Sequence, residues 1–165
     1  MVHKPNAVEL TIARVETLLK DNPAFARVEH GFYVVRQGSA YVYVQVVPWE
    51  PGRAVVRLVA QLAGGVEMTP ELAIKLLRLN ARMRFGSFGF VTDGACVIFT
   101  HSLLGGATLD GEELVTALRQ LAVVADEYDD RIVDEAGGKR MQDLLDDAAA
   151  ASLLEHTRAG ESWEH

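Results

Sequence analysis

From Gly31 to Leu62 the apolar residues recur at every second position, and that period decides the architecture. Tyr41-Val42-Tyr43-Val44-Gln45-Val46-Val47 places Val42, Val44 and Val46 on one side and Tyr41, Tyr43, Gln45 and Val47 on the other, because successive side chains of a strand point to opposite faces. Arg53 to Leu62 sets Ala54, Val56, Leu58, Ala60 and Leu62 against Arg53, Val55, Arg57, Val59 and Gln61. Gly31 to Val35 reads as a preceding strand. Gln37-Gly38-Ser39 joins it to the next, and Pro48, Pro51 and Gly52 mark the following turn. One face of this sheet is oily throughout. The other mixes aromatic, β-branched and polar residues, where a fully solvated face would seldom carry so many Tyr and Val.

The flanking segments change period. In Ala7 to Lys20 the residues Val8, Ile12, Val15, Leu18 and Leu19 form a helical stripe behind an N-cap at Asn6, and Asp21-Asn22-Pro23 stops it. Thr69-Pro70-Glu71 opens a second helix, with Pro where its missing N–H costs nothing and a stripe of Leu72, Leu76, Leu79 and Met83. Segments 87–92 and 95–100 flank Asp93-Gly94, which predicts a type I′ hairpin turn. Asp110 with Glu113 predicts the capping box of a third helix ending near Gly137-Gly138. The order is α-β-β-β-α-β-β-α, an α+β domain with an antiparallel sheet over residues 1–138. Residues 139–165, with an Ala-rich stretch, read as a helical or disordered tail. The long third helix is expected on one face of the sheet, with the first helix or a partner subunit on part of the other.

Composition narrows the function classes. The 165 residues suit one domain, and 49% hydrophobic content is enough for a continuous core. A net charge of −7 argues against nucleic acid as partner. The single Cys96 excludes an intramolecular disulfide framework and reads as a buried, inert thiol. No secretory signal or membrane span is visible, since Glu9 precedes any apolar run and the longest uncharged stretch, 94–109, is too short and too polar to span. A cytoplasmic protein is expected. Charge is uneven: residues 1–105 hold 11 basic and 8 acidic side chains, and residues 106–165 hold 5 and 15. Asp126, Asp130 and Asp134 share a helical face, a repulsive arrangement that reads as a solvated surface, with a basic partner or a divalent cation as the alternative.

Catalytic patterns are weak. His101 and Ser102 are sequence neighbours with no third group, and the other histidines show no ligand spacing. No catalytic residue, metal site or cofactor is expected. A metal-dependent enzyme using His101 and the Asp126, Asp130, Asp134 ridge is the less favoured alternative.

Leu76-Leu77-Arg78-Leu79-Asn80, Arg84-Phe85-Gly86-Ser87-Phe88-Gly89-Phe90, the Asp93-Gly94 turn, Val97-Ile98-Phe99-Thr100-His101-Ser102-Leu103-Leu104 and Ala125-Asp126-Glu127-Tyr128-Asp129-Asp130-Arg131-Ile132 resemble the bacterial YbjN-like proteins, relatives of type III secretion chaperones such as CesT. The resemblance covers about residues 7–138 and agrees with the element order. It implies a noncatalytic, acidic, often dimeric protein that holds a client segment in apolar grooves. Dimer contacts would then fall on Leu72, Leu76, Leu79, Met83, Phe88 and Phe90. No client-binding motif transfers, so groove residues are inferred from faces: Val8, Ile12 and Val15 on the first helix, and Tyr41, Tyr43 and Val47 on the sheet. The alternative in the same class is a homodimeric regulatory adaptor without general chaperone activity. A role in secretion does not follow from the sequence.

Overall fold

The structure, a computed structural model, is described for residues 6–148. Three helices begin at the expected caps. Helix α1 (Ala7–Leu19) starts where the Asn6 side chain accepts from the Glu9 N–H at 2.9 Å. Helix α2 (Pro70–Asn80) starts with Thr69 accepting from the Leu72 N–H, and α3 (Gly111–Ala136) with Asp110 accepting from the Glu113 N–H. Each cap supplies an oxygen to a first-turn N–H that has no partner within the helix.

The strands are β1 (Phe25–Glu29), β2 (Phe32–Gln37), β3 (Ala40–Pro48), β4 (Ala54–Gly64), β5 (Ser87–Val91), β6 (Cys96–Leu104) and β7 (Lys139–Arg140). All pair antiparallel, in the spatial order β1-β2-β3-β4-β6-β5, and β7 pairs with the end of β4. The expected order is present, with β1 and β7 added to it. Strand β1 is short and mostly exposed; its one apolar anchor is Phe25, whose ring lies 5.1 Å from that of Tyr33. Pairing of Lys139–Arg140 carries the sheet past residue 138, and residues 141–148 are helical (α4). The rest of the expected tail, 149–165, lies outside the described residues.

The Asp93-Gly94 hairpin forms, but the two positive φ values fall at Gly94 and Ala95 rather than at the Asp-Gly pair. The carbonyls of Gly94 and Ala95 accept from Gly65 and Val66 N–H, so contact with the β4–α2 loop sets the turn.

Alternation sorts the sheet as the sequence predicts. Val42, Val44, Val46, Val56, Leu58, Ala60 and Leu62 are buried, joined by Val97, Phe99 and Leu103 of β6. Helix α3 lies over β3, β4 and β6 through Leu114, Ala117, Leu118, Leu121, Ala122, Ala125 and Ile132. Helix α1 does not cover the opposite face. It joins α3 on the same side, with Ile12, Val15 and Leu19 in the same core, and contacts β3 and β4. Its Thr11 hydroxyl accepts from the Gly106 N–H at 2.7 Å, and its Arg14 donates to the Leu109 carbonyl at 2.6 Å. These bonds fix α1 beside the β6–α3 connection.

Tyr33 locks α1 to the sheet. Its side chain is fully buried and its hydroxyl donates to Glu16 at 2.7 Å. Burial, followed by this hydrogen bond to a carboxylate, holds the hydroxyl proton far above the ordinary tyrosine range. The folded state therefore binds that proton more tightly than the unfolded chain, and the stability it contributes is present below about pH 10 and lost as pH rises beyond it. Tyr33→Phe should lose about 1–2 kcal/mol at pH 8 and show a flatter decline between pH 9.5 and 11 in urea titrations. Equal slopes for the two proteins would refute this.

Candidate functional site

The second face of the sheet is built from the residues that alternate with the core. Its rows follow from the strand register. Val34, Tyr43, Val59, Thr100 and Ser87 form one row, and Phe32, Gln45, Arg57 and Ser102 the next. Val47, Val55 and Leu104 form a third, while the pairs Arg36–Tyr41 and Gln61–Ile98 lie at the other end. The rings of Phe32 and Tyr43 stack at 5.6 Å, and the Arg36 guanidinium sits 5.6 Å from the centre of the Tyr41 ring. Val34, Tyr41, Tyr43, Val47, Val55 and Val59 are only half-buried, and Leu104 is 60% exposed. Burial also pushes the Tyr43 hydroxyl above its usual value, so it stays a neutral donor through ordinary pH.

Among the described residues only α4 reaches this face, and only at one end. A Cβ on Gly64 would meet Leu144 at 3.1 Å and the Cys96 sulfur at 3.5 Å, so Leu144 sits over the end of β4 beside Cys96. Lys139 bonds Asp147, and Arg140 bonds Asp143 and Asp130, which ties the β7–α4 arm to itself and to α3. Cys96 is half-buried and accepts from the Gln61 side-chain amide at 3.2 Å.

A second surface lies between α2 and the edge strand β5. Met68, Ala73, Leu76, Leu77, Phe88 and Phe90 line an apolar groove of about 280 Å³. Its rim is exposed, with Leu77 at 67% and Phe90 at 38%. The strand edge beside it is partly closed by Asn80. The Asn80 side-chain oxygen accepts from the Phe88 N–H at 2.7 Å and its amide donates to the Phe88 carbonyl at 3.1 Å, mimicking a neighbouring strand. Edge strands with free main-chain groups invite pairing with other chains, and this contact blunts that risk. Asn80→Ala should lower stability by about 1–3 kcal/mol and raise concentration-dependent aggregation on heating. Unchanged melting and unchanged scattering would refute it.

The structure separates the residues expected at the site. Tyr41, Tyr43 and Val47 share the uncovered face. Val15 is fully buried and Ile12 nearly so, because their stripe packs onto the core side of the sheet. Neither has surface to offer a client, and this corrects their placement in a groove. Val8 is half-buried at the end of α1, beside Trp49. Of the expected dimer residues, Leu72, Leu76 and Phe88 are buried within the protein, Leu79 and Met83 are half-buried, and Phe90 is exposed. The exposed side chains of that region, Leu77 and Ile74, lie on the outer side of α2 and were not singled out from the sequence.

The enzymatic alternative finds no support in the geometry. His101 and Ser102 project to opposite faces of β6, and the His101 ring accepts from the Gly86 N–H at 3.2 Å while Phe85 meets it edge-on. Asp126 accepts from Ser39, Asp130 pairs with Arg140, and Glu135 pairs with Lys75. Burial, the largest influence on it, raises the Asp129 carboxyl above its ordinary value. The acidic ridge is thus held by separate partners, and it belongs to α3, across the sheet from the uncovered face.

Among the described residues no helix is long and apolar enough to cross a membrane. The family described as T3SS (YopN, CesT) and YbjN peptide-binding chaperone 1, TY-Chap1, matches residues 6–144. Among curated proteins, none matches the chain.

Proposed function

Because the chain belongs to the TY-Chap1 family of peptide-binding chaperones, we propose that it holds a segment of a partner polypeptide, without catalysis, on the uncovered face of its sheet. One observation carries this reading: α1 and α3 share one side of the sheet and leave Val34, Tyr41, Tyr43, Val47 and Val59 half-exposed on the other. Each 100 Å² of apolar surface that a client removes from water there contributes on the order of 2.5 kcal/mol before the cost of ordering the client. The tyrosine hydroxyls supply hydrogen bonds to the client main chain. A cytoplasmic setting and a homodimer belong to the same proposal.

The test is suppression of aggregation. A reduced, unfolding model protein is mixed with increasing amounts of the chain and followed by light scattering. A holding chaperone lowers the scattering in proportion to its concentration; no effect at several-fold molar excess counts against the reading. The exposed Leu77 and Phe90 beside the α2–β5 groove favour a second possibility, a dimer that serves as a dedicated adaptor. Sedimentation distinguishes it: a stable dimer with no suppression supports the adaptor, and Leu77→Asp should dissociate that dimer.

A further inference from the structure

We propose that the segment this face takes is acidic, with apolar residues between its carboxylates. The inference rests on the functional reading above and adds the chemistry of the partner. On β2, β3, β4 and β6 the side chains of its rows include two cations, Arg36 and Arg57, and no carboxylate; Glu29, opposite Phe32 on the outlying strand β1, ends the row of Arg57. Both are exposed, and among the described residues neither makes an ion pair, whereas Arg53 at the end of β4 pairs with Glu50. Glu29 stands three strands, about 14 Å, from Arg57, and in the β7–α4 arm at the end of β4 Asp143 and Asp147 are engaged by Arg140 and Lys139. The acidic ridge of α3 is turned to the opposite side. Although the chain is −7 overall, the field felt at contact is set by charges within a Debye length of about 8–10 Å. Tyr43 stands one strand and one row from each arginine and two strands from Glu29, so positive charge prevails around it, where the α3 ridge alone would favour a basic partner.

The geometry points to a spacing as well. Arg36 on β2, Tyr43 on β3 and Arg57 on β4 lie on a diagonal, each one strand and one row beyond the last. With strands about 4.8 Å apart and rows about 6.6 Å apart, the two arginine Cα atoms stand roughly 16 Å from each other. An extended Glu-x-Leu-x-Glu segment separates its carboxylates by about 13 Å, within reach of two long arginine side chains. Its central Leu then falls on the Tyr43 ring, between Val34 and Val59.

The experiment measures binding of three fluorescein-labelled peptides to the full chain by anisotropy at low salt. They carry Glu-x-Leu-x-Glu and its Gln and Lys counterparts. The Glu peptide should bind about three- to tenfold tighter than the Gln peptide, and the Lys peptide weakest, with the differences shrinking at 0.5 M salt. Arg57→Glu should invert the order of Glu and Lys peptides without changing the melting temperature. Equal affinities, or preference for the Lys peptide, overturn the inference; if Tyr43→Asp still abolishes binding of all three, the holding function survives that result. If no peptide binds and Tyr43→Asp leaves aggregation suppression intact, the face is not the seat and both readings fail. If sedimentation shows a dimer that Arg57→Glu dissociates, the occupant is a second copy and the inference is overturned.

Discussion

Phe99→Ala should destabilise the protein by about 3–5 kcal/mol, the largest effect expected of any single truncation on the sheet. Phe99 is fully buried on β6, and its ring meets that of Phe88 edge-to-face at 4.9 Å. Phe88 in turn meets Tyr128 of α3 at 5.3 Å. Three elements therefore share one aromatic column, and removal of the fully buried ring at its base costs both the apolar transfer and the cavity that rigid neighbours cannot close. The neighbourhood is already tight, since a Cβ on Gly86 would approach the Phe99 ring within 2.7 Å. Against a total stability of 5–15 kcal/mol typical of domains, such a loss leaves a marginal fold. Urea titration followed by circular dichroism measures it directly. A change below 1 kcal/mol would mean that the column is not the organising contact of this half of the core.

Tyr43→Asp should leave the fold nearly intact and remove most of the holding activity. The ring is half-buried in the middle row of the uncovered face and stacks on Phe32. Its loss costs the sheet up to about 1 kcal/mol, a shift of about 2–4 °C in melting temperature. A client that covers the new carboxylate must strip water from an unpaired charge, which costs several times what the ring contributed. At least a tenfold rise in the concentration needed to suppress aggregation is expected, with Tyr43→Phe, which loses only the hydroxyl's hydrogen bond, within about threefold of the parent protein. Suppression by Tyr43→Asp at parental concentrations would exclude this face as the seat of the client.

Most of the fold is legible in the sequence because the chain states it twice, once in periodicity and once in punctuation. Val42 to Val46 and Ala54 to Leu62 alternate without interruption, and Asn6, Thr69 and Asp110 stand at the helix starts they cap. The elements that escape are those held by main chain rather than by side-chain pattern. Strand β1 has Phe25 alone as an apolar anchor, and β7 is two residues that pair with Ala63 and Gly64. The site is less legible for a related reason. A helical stripe such as Ile12 and Val15 declares that it will be covered, not by what, and here its own sheet covers it. The alternation of β3 and β4 reveals that a second face exists. It does not reveal that α1 and α3 crowd onto the first. Asn80 reads as the last residue of a helix, and its service to the edge of β5 depends on packing between segments eight residues apart.

Placing every large helix on one side has a consequence for how such a protein can change over generations. The side chains that keep it folded and those that greet a visitor share strands but not neighbours. Substitutions on the outward rows are therefore nearly silent in folding, and a lineage is free to retune which visitor it accepts, one position at a time, without passing through an unstable ancestor.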